Sequence, residues 1–161
     1  RHGPILVTMT DPPAVDAALA AGVGAPVSLR LGGKVSHGFF PEVEVAGRVV
    51  YAGSPSYQAY KAETAMGSTA VVESAGVYVV ISAIPVLTVT PHPYVAAGVD
   101  PRTAKIVVAK SSTQFRKEFE PMARAIIVAN TPGPTSSDFP SLPFQRIPRP
   151  MYPWEDWEWA P

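Results

Sequence analysis

Proline limits what this chain can fold into more than any other residue. The sequence holds 19 prolines among 161 residues. From Asn130 onward they come in close succession, at Pro132, Pro134, Pro140, Pro143, Pro148, Pro150 and Pro153. Each removes a backbone donor and fixes φ, so neither a helix interior nor an inner strand can persist there. The regular fold must be built by the residues before Asn130. The tail is expected to run extended over a surface, anchored by Phe139, Leu142, Phe144, Ile147, Met151 and Tyr152.

Upstream of the tail the pattern is that of a mixed α/β (α+β) fold. Ile5 to Met9 reads as a buried strand. Asp11 can cap a helix whose first position suits Pro12. Val15, Ala18, Leu19 and Gly22 share a helical face, and Gly22 and Gly24 stop the helix. Pro26 to Leu31 supplies the next strand. Residues 26–90 form a β-rich, antiparallel subregion: alternation runs through Glu42 to Tyr51, Ala70 to Ser74, Val77 to Ser82 and Pro85 to Thr90. Ala75-Gly76 reads as a hairpin turn, and Ser54 to Gly67 as a polar loop. Beyond it, Thr90-Pro91 opens a short helix closed by Gly98. Lys105 to Ala109 reads as a short buried strand. Ser111 and Gln114 fit a capping box for a helix with Phe115, Phe119, Met122 and Ala123 on one face, which Pro121 should kink. Ala125 to Ala129 reads as a second buried strand. In short, the chain combines short parallel strands and helices with an antiparallel middle section.

Apolar residues make up 47% of the chain and charged residues 16%, a globular composition. The formal net charge is zero, which argues against a nucleic-acid partner, since such binders carry a basic excess. No apolar run approaches the roughly 18 residues that cross a bilayer, and no signal-peptide pattern is visible. A cytoplasmic location is the expectation, with the periplasm open. There is no cysteine, which excludes disulfides, thiolate zinc sites and thiol nucleophiles. Because Arg1 precedes a strand almost at once, the N-terminus reads as a cut.

Few residues are placed for chemistry. His2, His37 and His92 have no metal-ligand spacing. Ser111 and Ser112 follow a strand but lack the G-x-S-x-G elbow. Leu31-Gly32-Gly33-Lys34 is either a tight turn with a solvated lysine or a loop whose glycines admit a ligand beside Lys34; spacing leaves both open. Lys110-Ser111-Ser112 lies at a strand's C-terminal end and at the start of the expected helix. There it is either a capped helix with solvated cations or, with Arg116, an anion site. Tyr152, Trp154, Trp157 and Trp159 cluster at the end, as residues that pack on another part of a larger protein do; residues 154–161 form a Trp-rich tail.

Taken in order, these segments resemble the C-terminal domain of the microcystinase C (MlrC) family of metallopeptidases. The likeness is carried by Asp11-Pro12 through Gly24, Leu29 to Lys34, His37-Gly38 and Glu44 to Val49. It continues with Met66 to Val71, Gly98 to Pro101, Val107 to Ser112 with Phe115-Arg116, Asn130 to Gly133, and Arg149 to Pro153. It covers residues 1–153. The pattern of that family has a histidine where this chain has Gln114 and an aspartate where it has Asn130, so roles at those positions are not carried over. It also has a helical segment before the strand at Ile5, in line with a truncated start.

The resemblance implies the C-terminal portion of a zinc-dependent peptidase acting on small peptides. The zinc ligands would lie in an N-terminal domain and not on this chain, which would be inactive alone. The implied partners are that N-terminal part and a small peptide substrate, with homo-oligomer formation open. Lys34, Lys110, Ser111 and Arg116 would contact substrate, with Gly32, Gly33 and His37 shaping the loop. Two other readings stand beside it. One is a structural or oligomerisation domain without substrate contact, suggested by the Pro-rich, Trp-ended tail. The other is a stand-alone small-molecule binding domain.

Overall fold

A computed structural model describes residues 3–34, 40–59, 61–111, 113–131 and 138–155. Two compact units divide the chain, Arg1–Ile126 and Ile127–Pro161. The first is built on a six-stranded mixed sheet. Its strands are β1 (Ile5–Thr10), β2 (Pro26–Leu31), β3 (Val43–Gly53), β6 (Thr69–Ser74), β7 (Val77–Ser82) and β8 (Ile106–Val107). The spatial order is β2-β3-β6-β7-β1-β8. The pairs β2–β3, β3–β6 and β6–β7 are antiparallel. β1, the first strand in sequence, lies between β7 and β8 and is parallel to both.

Alternation along the central strands decides which side chains enter which layer. Ala70, Val72, Val79 and Ile81 point to one face. There they pack with Ala14, Val15 and Ala18 of helix α1 (Pro12–Ala21) and with Leu29, Leu31 and Val49. Val71, Val80 and Leu6 point to the other face, against Tyr57, Met66, Tyr94 and Ala97. This second layer is made by helix α2 (His92–Ala96) and a hairpin of β4 (Ser56–Ala59) and β5 (Ala62–Ala65). The sheet is therefore covered on both sides, as its near-continuous apolar central strands require. No helix among the described residues is long and apolar enough to cross a membrane.

Several local expectations hold for the reasons given. Asp11 caps α1, Pro12 opens it, and Gly22 closes it at a positive φ. Ala75 and Gly76, both at positive φ, join Ser74 to Val77 in the two-residue turn that matches strand twist. Others are corrected. Residues 54–67 are not a loop: they hold the β4–β5 hairpin, drawn onto the sheet by buried Tyr57 and Met66. Pro85 to Thr90 is not a strand. Pro85 has no N–H to give a ladder, and the Ser82 hydroxyl turns back to the Ile84 carbonyl at 2.8 Å as β7 ends. The strand over Lys105–Ala109 shrinks to β8, an edge strand with Ile106 exposed.

The helix expected from Ser111 is only α3 (Arg116–Phe119), with Phe115 at its cap and no side-chain cap bond, so the capping box does not form. Pro121 leaves it no room to extend. Ala125–Ala129 is neither strand nor buried: Ile127 is 88% and Val128 71% exposed.

The second unit contains a single 3-10 turn among its described residues, Phe139–Ser141. It is less extended than its prolines suggest. The Trp154 and Phe144 rings meet at right angles with centroids 5.6 Å apart, and the Arg149 guanidinium lies 5.4 Å over the Trp154 ring. Arg149 in turn pairs with Glu155 at 2.5 Å. Phe139 and Tyr152 stay exposed rather than anchored. Trp157 and Trp159 lie outside the described residues.

Candidate functional site at the carboxyl ends of the parallel strands

Because β1 and β7 are parallel and in register, with Thr10 opposite Ser82, both finish at one edge of the sheet. β8 runs the same way, so the chain leaving it toward Lys110 heads for that edge too. Open α/β sheets bind ligands there, where strand ends diverge into loops.

Asp11 holds one corner. It is 1% exposed, and both oxygens of its carboxylate accept hydrogen bonds. Oδ1 accepts the Ala14 N–H at 3.2 Å. Oδ2 accepts the Gly32 N–H at 3.0 Å and the Lys34 ammonium at 2.6 Å. Its own N–H donates to the Ser82 carbonyl at 3.0 Å. One side chain thus ties the helix start, the end of β7 and the chain leaving β2. Lys34 also donates to the Arg30 carbonyl. A lysine has three N–H bonds, and the described residues account for two of them. Burying a charge without a partner is costly, so Asp11 and Lys34 hold each other in place.

Gly32 and Gly33 have φ of 77° and 70°, a backbone shape that favours glycine. A Cβ on Gly33 would come within 3.0 Å of the Phe40 carbonyl and 3.1 Å of the Glu42 N–H. The close approach is therefore to the chain's own returning backbone. His37 lies outside the described residues.

Lys110 marks a second corner. Its N–H donates to the Thr88 hydroxyl at 2.8 Å, which fastens the segment to the loop after β7. Its side chain has no ion-pair partner among the described residues. Although much of the residue is exposed, crowding of its ammonium end by burial lowers its proton affinity below the usual lysine range. Nearby in sequence, the Thr90 hydroxyl is buried with no partner among the described residues. Between the corners, the loop after β7 exposes Ile84 and Leu87.

The structure brings Gly32 and Lys34 together on Asp11, and fastens Lys110 to Thr88. It does not give Ser111 a helix to cap, and Ser112 lies outside the described residues. An anion site at a helix N-terminus is therefore corrected: α3 is one turn long and starts at Arg116. Arg116 is exposed, 5.5 Å over the Phe115 ring and 3.8 Å from Glu120. Sequence reading missed Asp11 as the centre, because its partners lie far along the chain and no local spacing reports them. Among the described residues no group of three His, Cys, Asp or Glu could hold a metal ion. They do not fit a zinc centre.

The MlrC C-terminus family profile matches residues 2–146 of this chain. Microcystinase C of Sphingomonas sp is 31% identical over 147 residues, which are 90% of this chain and 28% of that protein. The crystal structure of a "Putative metallopeptidase" from Mesorhizobium sp. BNC1 matches with a TM-score of 0.81 and 28% identity, over 98% of this chain and 32% of that one. The chain therefore spans about a third or less of the relatives it matches.

Proposed function

The chain belongs to the MlrC C-terminus family, and from that premise we propose that it is the C-terminal portion of a zinc-dependent peptidase acting on small peptides. In this reading the metal ligands lie in a part of the protein outside these 161 residues, and this portion lines one wall of the active site. The names of the relatives, a microcystinase and a metallopeptidase, support the reaction class.

The observation that carries the reading is the placement of two lysines at the carboxyl edge of the parallel strands. One is locked by Asp11 and one has no ion-pair partner among the described residues. A cation held at a fixed place suits the carboxylate or a carbonyl oxygen of a peptide, where a charge-assisted hydrogen bond is worth about 1.5–3 kcal/mol. Asp11 is buried with both carboxylate oxygens engaged, so its role is to position Gly32 and Lys34. Lys110 is the binding residue, with Lys34 beside the glycine loop. Ser111 and Arg116 border the same segment.

The test is Lys110→Ala in the full-length enzyme. A drop of about 10- to 100-fold in kcat/KM on a linear peptide is expected, with Lys110→Arg restoring part of it. Unchanged hydrolysis together with unchanged substrate affinity would remove Lys110 from the site.

A further inference from the structure

We propose that residues 125–129 form a β-strand that adds to a sheet edge in the part of the same polypeptide lying outside these 161 residues. The inference rests on the reading of this chain as one portion of a longer protein. It names the surface through which that portion is joined to the rest.

The segment is Ala125-Ile126-Ile127-Val128-Ala129, closed by Arg124 before and Asn130 after. It has three successive β-branched residues and neither charge, glycine nor proline, the composition of a strand. Yet it belongs to no strand, and among the described residues its backbone groups make no hydrogen bond. Ile127 and Val128 are 88% and 71% exposed. Unpaired peptide groups beside bare aliphatic side chains are what sheet edges recruit, and what soluble proteins avoid leaving open. In an extended chain Ile127 points one way and Ile126 and Val128 the other. Apolar residues on both faces describe a strand covered on both sides.

The chain's own sheet edges suit such a partner poorly. β8 is two residues long. β2 begins with Pro26 and carries exposed Arg30 paired to Glu42, features that discourage strand addition. The relatives supply the other candidate. They are about three times as long as this chain, and the Mesorhizobium structure follows 98% of its course with a TM-score of 0.81. That backbone course therefore exists in a chain with two thirds of its residues elsewhere.

Hydrogen exchange on the unmodified full-length protein tests this. Amides 126–129 should exchange at least about a hundredfold more slowly than an unstructured chain, and remain so on dilution to the monomer. Unprotected exchange overturns the proposal. Protection that vanishes on dilution also overturns it, because the occupant would then be a second copy. In Ile127→Pro, which removes a ladder donor, residues 126–129 and one segment outside these 161 residues should lose protection together, while β6 and β7 keep theirs. Loss confined to 126–129 counts against a sheet edge. No activity is read, so an inactive but protected protein would defeat the peptidase reading and leave this one standing.

Discussion

At the residue scale, Asp11 carries more of the structure than its neighbours. Asp11→Ala removes the α1 cap, leaves the Gly32 N–H without its acceptor and takes the Lys34 ammonium's counter-charge away. The expected loss is about 3 kcal/mol, combining a cap with a partly buried ion pair; urea unfolding of the full-length protein measures it. Thr90→Val should act in the opposite direction. It replaces a buried hydroxyl lacking a partner with a methyl of the same shape, and a gain of about 1 kcal/mol is expected in the same assay.

Tyr94 gives a pH dependence. Its hydroxyl donates to the Val108 carbonyl at 2.7 Å, and burial raises its pKa well above the ordinary value of 10.0. The folded state thus favours the neutral phenol. The stability this brings is present in full below pH 10 and is lost as pH rises through the folded value. The urea midpoint should fall between pH 9 and pH 11, and fall less in Tyr94→Phe. Lys110 has the reverse shift. Its charge is lost below the usual lysine range, so substrate affinity that depends on it should weaken as the solution becomes alkaline.

At the element scale, what was legible in the sequence is what local chemistry decides. Asp11-Pro12 and Gly22 bound α1 because a cap, a fixed φ and a positive φ are properties of single residues. Ala75-Gly76 marks a turn for the same reason, although Ala75 is not a favoured residue at positive φ. Ala75→Asn should therefore raise stability by about 0.5–1 kcal/mol, read from the thermal midpoint. The illegible elements depend on distant partners. The β4–β5 hairpin is held by Tyr57 and Met66 against residues from β6, β7 and α2, so its polar run looked like a loop. Ser111 and Gln114 satisfy a capping pattern, yet Lys110 is fastened to Thr88 and Pro121 stops the helix after one turn.

At the scale of the whole molecule, the α+β class could be read from the succession of strand and helix patterns, whereas the sheet's two-sided burial could not, since its central strands read as alternating. The candidate site could be read only in part. Gly32, Gly33, Lys34 and Lys110 were picked out as residues. Their arrangement was not, since β1 meets β7 and the chain leaving β2 through contacts that no short motif encodes. The two-unit division has the same origin. Residues 125–129 carry a strand's composition without a partner among the described residues, and composition cannot say where a partner lies.

The place of β1 also makes this sheet one of distant contacts. It is the earliest strand of these 161 residues in sequence order, but its neighbours are β7 and β8, which lie much later in the chain. The antiparallel β3, β6 and β7 pair with near neighbours in sequence, whereas β1 pairs only across a long loop, and such long-range closure is slow. The corner at Asp11 is made the same way, since its N–H meets the Ser82 carbonyl and its carboxylate the Gly32 N–H, both far along the chain.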